Sequence, residues 1–384
     1  MHQLRFARLG ICVAAAAALT GGCAQLGSQL GYYAQAAHGQ FSLLASARPI
    51  NDWLESLQAD SPLRKKLLQA QQIRQFAARE LSLPDNRSYT SYAQLTQPFV
   101  LWNVVATGPL SMEQKHWCFP VAGCVSYRGY YDKTDAQDYA KALRDEGFDV
   151  QVGGVPAYST LGWFNDPVLS SFIQYPQGEF ARLVFHELAH QVVYVKDDTQ
   201  FNESFATAVE EMGVERWLAS HGDFRLRQTY QEFQSRKEDF LRLLLKHRII
   251  LEENYQRVAS DAEKLQRKQD IFRQLRDDYQ LLRLDWGGYA GYDRWFAEPL
   301  SNAHLASVAT YHEFVPAFRA LLDQEKSLPR FYAAASRLAD LDKVARRGEL
   351  AAISKRIRPV DAEASTLSLT LTNTKCLASP CGGR

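Results

Sequence analysis

Residues 176–192 read Pro-Gln-Gly-Glu-Phe-Ala-Arg-Leu-Val-Phe-His-Glu-Leu-Ala-His-Gln-Val. Phe180, Leu183, Val184, Leu188 and Val192 recur at helical spacing, and Pro176 and Gly178 stand where a helix begins. The spacing predicts an amphipathic helix carrying His186, Glu187 and His190 in the pattern His-Glu-x-x-His. Positions i and i+4 share one helix face, about 6 Å apart along the axis. Two imidazoles so placed can take two corners of a tetrahedral zinc ion. Glu187 then projects beside the ion, where a carboxylate can take a proton from water. Such a pattern arises by chance in about one chain in a hundred of this composition, so its surroundings have to support it.

A catalytic zinc needs a third protein ligand and one open position. A His six residues beyond the second imidazole is excluded, because Lys196 stands there and Val193 replaces the Gly of that arrangement. The other arrangement takes a Glu from the next helix, and Asn202-Glu203-Ser204-Phe205-Ala206, followed by Glu210, fits it. Asp197, Asp198, Glu210 and Glu211 compete for that place. Asp197 and Asp198 are expected to be solvated in the turn leaving the first helix. Phe205, Val209 and Met212 give the second helix an apolar stripe that sets it against the first. Glu210 is two turns beyond Glu203, about 10 Å along the axis, so the two are not expected to share one ion.

His-Glu-Leu-Ala-His-Gln (186–191) with Asn-Glu-x-Phe-Ala-x-x-x-Glu (202–210) resembles the signature of gluzincin aminopeptidases of the aminopeptidase N type, with a shorter spacer of twelve residues, 191–202. Together with Trp117-Cys118-Phe119-Pro120-x-x-Gly123-Cys124 and the long helices described below, the chain looks like the lipoproteins of Gram-negative bacteria classed as putative aminopeptidases. The resemblance implies one Zn2+ held by His186, His190 and Glu203, with Glu187 as general base; Glu210, two turns beyond Glu203 on the same face, is either an exposed helix Glu or a group that holds a ligand by a hydrogen bond from behind. It also implies a Tyr on the oxyanion. Tyr289, Tyr292 and Tyr311 are the candidates, and Tyr311 is favoured. Aminopeptidases of that type carry a Gly-x-Met-Glu-Asn strand ahead of the zinc helix. Here the matching stretch, Gly153-Gly154-Val155-Pro156-Ala157-Tyr158, has no Glu. As an edge strand it can still pair with a peptide backbone.

Upstream, 98–106 and 125–131 read as strands, and 149–155 as a third. Thr134-Asp135-Ala136-Gln137 reads as a capping box opening a helix that stops at Gly147. Downstream, residues 223–283 hold 14 Lys/Arg and 11 Asp/Glu. Their apolar residues Phe240, Leu244, Leu251, Tyr255 and Val258, then Phe272, Leu275, Tyr279 and Leu282, fall near heptad spacing. Ser260-Asp261-Ala262-Glu263 is a second capping box. Two long antiparallel helices turning near Ala259 are expected, with the charges on a solvated face.

The 384 residues are 46% hydrophobic and 23% charged, which excludes a disordered chain. Lys+Arg (44) and Asp+Glu (43) balance, so no nucleic-acid partner is expected. Arg5 and Arg8 precede an apolar run, Leu9 to Leu19, that has the form of a secretory signal and is too short to span a bilayer. Its end, Leu19-Thr20-Gly21-Gly22-Cys23, resembles a bacterial lipobox, in which Cys23 takes the lipid. Ala24, where inner-membrane lipoproteins carry Asp, implies an outer-membrane lipoprotein facing the periplasm. In that oxidising compartment Cys118 and Cys124, and Cys376 and Cys381, are the neighbouring pairs expected to bridge.

The expected organisation is a lipoprotein signal at 1–22, a helical segment at 23–97, a zinc metallopeptidase core at 98–220, a helical hairpin at 221–285, and a C-terminal helical region and tail at 286–384. The fold class is α+β, mostly α, with a gluzincin-like core, a small sheet and an inserted hairpin. The expected activity is zinc-dependent hydrolysis of peptides, with the membrane reached through the lipid anchor. The competing reading is a non-catalytic envelope lipoprotein with a structural zinc site and a hairpin that docks a partner. A zinc hydrolase with a non-peptide substrate is a third.

Overall fold

The computed structural model describes residues 31–56, 58, 61–119, 123–221, 223–310 and 314–356. Cys23, Tyr311, Cys376 and Cys381 lie outside them. The order is α1 (31–46), β1 (Arg48–Pro49), α2 (Ile50–Ser56), α3 (Pro62–Arg79), β2 (Ser91–Ala93), β3 (Leu101–Thr107), β4 (Trp117–Phe119), β5 (Gly123–Val125), β6 (Arg128–Tyr130), α4 (Lys133–Asp145), β7 (Asp149–Val155) and β8 (Val168–Leu169). Then come α5 (Gln177–Ala189), α6 (Thr199–His221), α7 (Phe224–Gln256), α8 (Asp261–Asp285), α9 (Asp293–Ala297), α10 (Asn302–Thr310), α11 (Val315–Glu325), α12 (Leu328–Ala339) and α13 (Lys343–Arg356). The protein is mostly helical with small sheets, as the α+β reading requires.

The core is built on α5 and α6, the most extensive helix pair among the described residues. Phe180, Val184, Phe185 and Leu188 of α5 are buried against Phe201, Phe205 and Val209 of α6. Each such side chain contributes about 1.5–3 kcal/mol by leaving water. α6 is wider in its burial than the predicted stripe. Phe201, Ser204, Phe205, Ala208, Val209, Trp217 and Leu218 are all buried, while Met212 is only half-buried. A helix covered nearly all round must be central. α11 and α12 supply the cover, with Phe318 and Phe331 packed on Phe205.

The sheet that precedes this pair has the order β6-β3-β7, antiparallel throughout. One face of β3, Trp102, Val104 and Ala106, packs on Ala136, Ala140 and Leu143 of α4. The other face presents Leu101 and Asn103 to a cleft over α5. β7 spans the predicted residues and occupies the sheet edge. Two short strands differ from expectation. The stretch 125–131 is broken, because β5 pairs with β4 in a hairpin while β6 pairs with β3. Ser126 and Tyr127 bend between the two partners. The β4-β5 hairpin is closed by the Cys118–Cys124 disulfide.

The cap of α4 also differs. Asp132 is the N-cap, accepting from the backbone N–H of Thr134 at 2.6 Å and Asp135 at 3.2 Å. A carboxylate two residues upstream is the stronger acceptor and displaces the Thr134 box. At α8 the predicted box forms, with Ser260 and Glu263 bonding reciprocally. α7 and α8 are the two antiparallel helices, joined through Phe240, Leu244, Leu251, Phe272, Leu275 and Tyr279. Val258 is not in that seam. α7 stops at Gln256, which leaves Val258 in the turn and fully exposed.

Gly213 sets the separation of α5 and α6. A Cβ there would lie 2.8 Å from both Leu81 Cδ1 and Phe185 Cδ2. Gly213→Val should therefore lower stability by about 1–3 kcal/mol, the usual cost of overpacking, measured by urea unfolding. An unchanged midpoint would show that the two helices are not held at this distance.

Candidate metal centre

α5 presents His186 and Glu187 within its last turn, and His190 as its C-cap residue. His190 keeps helical dihedrals, φ −60° and ψ −21°, so the i,i+4 register survives the end of the helix. The chain then reverses over residues 191–198. Asn202 holds this turn from α6. Its side chain accepts from the Val195 N–H at 2.7 Å and donates to the Val195 carbonyl at 2.8 Å. Asp197 is exposed, as expected of a turn carboxylate, but Asp198 is not. Asp197 accepts from the Cys124 N–H, and Asp198 is buried in an ion pair with Arg346 of α13.

The reversal lays Glu203 beside the two imidazoles. His186 Nε2 and His190 Nε2 lie 3.2 Å apart. Glu203 Oε2 is 3.2 Å from the first and 3.7 Å from the second. A tetrahedral ion with bonds of about 2.0–2.1 Å sets its ligand atoms about 3.3–3.4 Å apart. The three atoms therefore have the spacing of one face of such a tetrahedron. Two ring nitrogens and a carboxylate are also the donor set that suits zinc. Among the described residues this is the one cluster of His, Cys, Asp or Glu with this property.

Glu210 also ends at this site, from the opposite side. His186 Nδ1 lies 2.7 Å from Glu210 Oε2, which turns Nε2 toward Glu203 and His190. Arg182 Nη1 bonds both Glu210 oxygens at 2.9 and 3.0 Å, and Arg182 Nε bonds Glu179 at 2.8 Å. Glu210 is buried, and burial alone would raise its carboxyl pKa. The Arg182 guanidinium and then His186 overcome that and hold it well below the usual range. Glu203 is lowered too, against its burial, by His190 and His186. Burial pulls His186 down, but the Glu210 and Glu203 charges win and raise it. His190, with burial dominant, falls to about 4.

Glu187 is buried, and burial pushes its carboxyl up to about 7, with His186 opposing and Glu203 adding to the rise. It lines a cleft of about 510 Å³ together with His186, His190, Glu203, Glu210, Asn103 and Tyr127. That volume suits a small ligand or a few residues of peptide.

Of the downstream tyrosines expected near the metal, Tyr289 and Tyr292 take other places, and Tyr311 lies outside the described residues. Tyr292 stacks on Phe240 at 3.9 Å and Tyr289 covers Arg236, both on the hairpin side and away from the cleft lining. Among the described residues the cleft tyrosines come from earlier in the chain: Tyr127, Tyr158 and Tyr194. Tyr158 belongs to the glycine-rich stretch singled out in the sequence. Its hydroxyl is taken up by Tyr131, at 2.7 Å, and by Gln40. Tyr127 sits at the bend between β5 and β6. A strand read straight through that bend gives no sign that its side chain turns to the site.

A family model described as "Putative aminopeptidase" matches residues 31–350. No curated protein and no solved structure matches the chain.

The donor set has a direct test. Zinc should bind at about one ion per chain, and Glu203→Gln should weaken it more than Glu210→Gln, whose loss should cost the roughly 10–100-fold typical of a group behind a ligand. Chelator competition measures both. Zinc held as tightly by Glu203→Gln as by the wild type would remove Glu203 from the set.

Proposed function

The chain belongs to the putative aminopeptidase family, and from that premise we propose that it is a zinc-dependent peptidase with a gluzincin-like centre. The observation that carries this reading is the three-atom donor face of His186, His190 and Glu203 with the Glu187 carboxylate beside it in a cleft. A structural zinc site would be closed by a fourth protein ligand, whereas three donors were found among the described residues.

Zinc, when bound, would supply Lewis acidity toward a scissile carbonyl and toward water. The remaining work falls to the chain's own groups. Glu187 takes the proton of the attacking water on its carboxylate and passes it to the leaving amine. Glu210, held by Arg182, keeps the His186 ring in the tautomer that leaves Nε2 free. Tyr127, which lines the cleft, is a donor we assign to the developing oxyanion beside Tyr311, which lies outside the described residues. The edge strand β7 runs into the cleft wall at Val155, and offers its backbone to an extended peptide.

We place this activity at the periplasmic face of the outer membrane, on the lipobox-like sequence ending at Cys23. Cys23→Ser should then move the protein from the membrane fraction to the soluble one. A wild-type protein that is already soluble would remove the anchor.

The mechanism turns on Glu187. Glu187→Gln keeps the side chain's size and should retain zinc, while peptide hydrolysis should fall by about 10²–10⁴-fold. Near-wild-type hydrolysis by this variant would end the general-base assignment whatever its zinc content.

A further inference from the structure

The first hairpin helix does more than pack. α7 meets α5 and α6 along one stripe. The Tyr230 ring occupies the space a Cβ on Gly178 would need, 2.5 Å away at its nearest atom. Gln234 donates to Glu179 Oε1 at 3.4 Å, and Lys237 Nζ stands 3.9 Å from Glu210 Oε1. Positions 230, 234 and 237 are i, i+4 and i+7, one face of a helix. The first two dock the helix, and the third brings an ammonium group into the lining of the cleft.

That ammonium is not absorbed by its neighbour. Glu210 already accepts from Arg182 at both oxygens and from His186 at one. At 3.9 Å the Lys237 contact is an ion pair beyond hydrogen-bond reach. A Lys ammonium carries three donors, and among the described residues no hydrogen bond uses them. The side chain is about a quarter exposed, which leaves it open to the cleft. The other charges there are committed. Glu203 belongs to the donor set, Glu210 serves His186, and Glu187 is the base, so no carboxylate among the described lining residues remains for a substrate ammonium.

We propose that Lys237 is the specificity-determining residue of the cleft and that its ligand is a substrate carboxylate. The source is either the C-terminal carboxylate of a short peptide or an acidic side chain close to the scissile bond. This inference rests on the peptidase reading. It selects substrates by their negative end, which a family named for the amino end does not lead one to expect.

The test uses the zinc-loaded full chain, a library of short peptides made as C-terminal acids and as C-terminal amides, and an amide set with Asp or Glu at each position. Each set is also made with an acetylated amino end. Digestion is read by mass spectrometry, and kcat and KM are determined separately for the best acid–amide pair. Wild type should favour the carboxylate-bearing member by on the order of tenfold or more, mainly in KM, as a charge-assisted hydrogen bond requires. Whether the free acids or the Asp/Glu amides are favoured tells the two sources apart. Lys237→Met should bring the acid–amide ratio close to one, and Lys237→Arg should keep it. Titration of the same peptide pair into zinc-loaded Glu187→Gln should show the same preference without turnover. Equal cleavage of acids and amides, or selection only by a free amino end, would overturn the inference and leave the peptidase reading standing. So would a Lys237→Met variant that loses zinc or weakens both members equally, since Lys237 would then serve only Glu210. Cleavage of no peptide at all would overturn both.

Discussion

The carboxylate of Glu210 is the constraint on which the rest depends. It is buried between α5 and α6, where an unpaired charge would cost several kcal/mol. Arg182 satisfies it with bonds to both oxygens, and His186 satisfies it from the other side. Both partners are on α5, four residues apart, so one carboxylate on α6 fixes the rotation of α5 about its axis. That rotation decides where His186 Nε2 points. The close approach at Gly213 fixes the distance between the same two helices. Orientation and separation are thus set by different residues, and both are needed before Glu203 can meet the imidazoles.

The reversal between the helices is held from three directions. Asn202 closes it from α6, Arg346 reaches it from α13 through Asp198, and the disulfide-closed hairpin reaches it from the sheet through the Cys124 N–H and Asp197. Arg346 also bonds the carbonyls of Leu338, Ala339 and Leu341, so it ties the end of α12 to the same point. A connection with no strand or helix of its own, residues 191–198, would otherwise be a source of looseness at the site. Here residues more than 140 positions away in sequence make it part of the scaffold, which is what a site held to fractions of an ångström needs.

Local patterns carried most of what the sequence revealed. The His186–His190 spacing, the period of α5, the span of β7 and the Ser260 box all depend on residues within one or two turns. What stayed hidden depended on partners far along the chain. Asp198 has the sequence surroundings of a solvated turn residue because its partner Arg346 is remote, and the bond from exposed Asp197 to the Cys124 N–H is hidden for the same reason. The break at Ser126–Tyr127 comes from β5 and β6 choosing different neighbours, which no apolar run records. The charge run of the hairpin was read as a solvated face, and for most of it this is sound. Lys237 escapes that reading because periodicity names a face without saying what it meets.

Glu203 and Glu210 show the same limit in a single pair. Their separation of about 10 Å along α6 excludes both from one ion, and that argument stands. It does not exclude both from one imidazole. A histidine ring has two nitrogens on opposite edges, so two carboxylates two turns apart can approach one ring from its two sides. Glu203 Oε2 lies against Nε2 and Glu210 Oε2 against Nδ1 of His186. His190 has no such second carboxylate, and its Nδ1 is buried without a hydrogen-bond partner among the described residues. The two imidazoles are therefore positioned by different means. His186 is held by charge on the nitrogen that faces away from the donor face. His190, the C-cap residue of α5, is held by its backbone and by packing. A donor face assembled this way is fixed by hydrogen bonding at His186 and by helix geometry at His190, so the geometry of the site is anchored on the side that α6 controls.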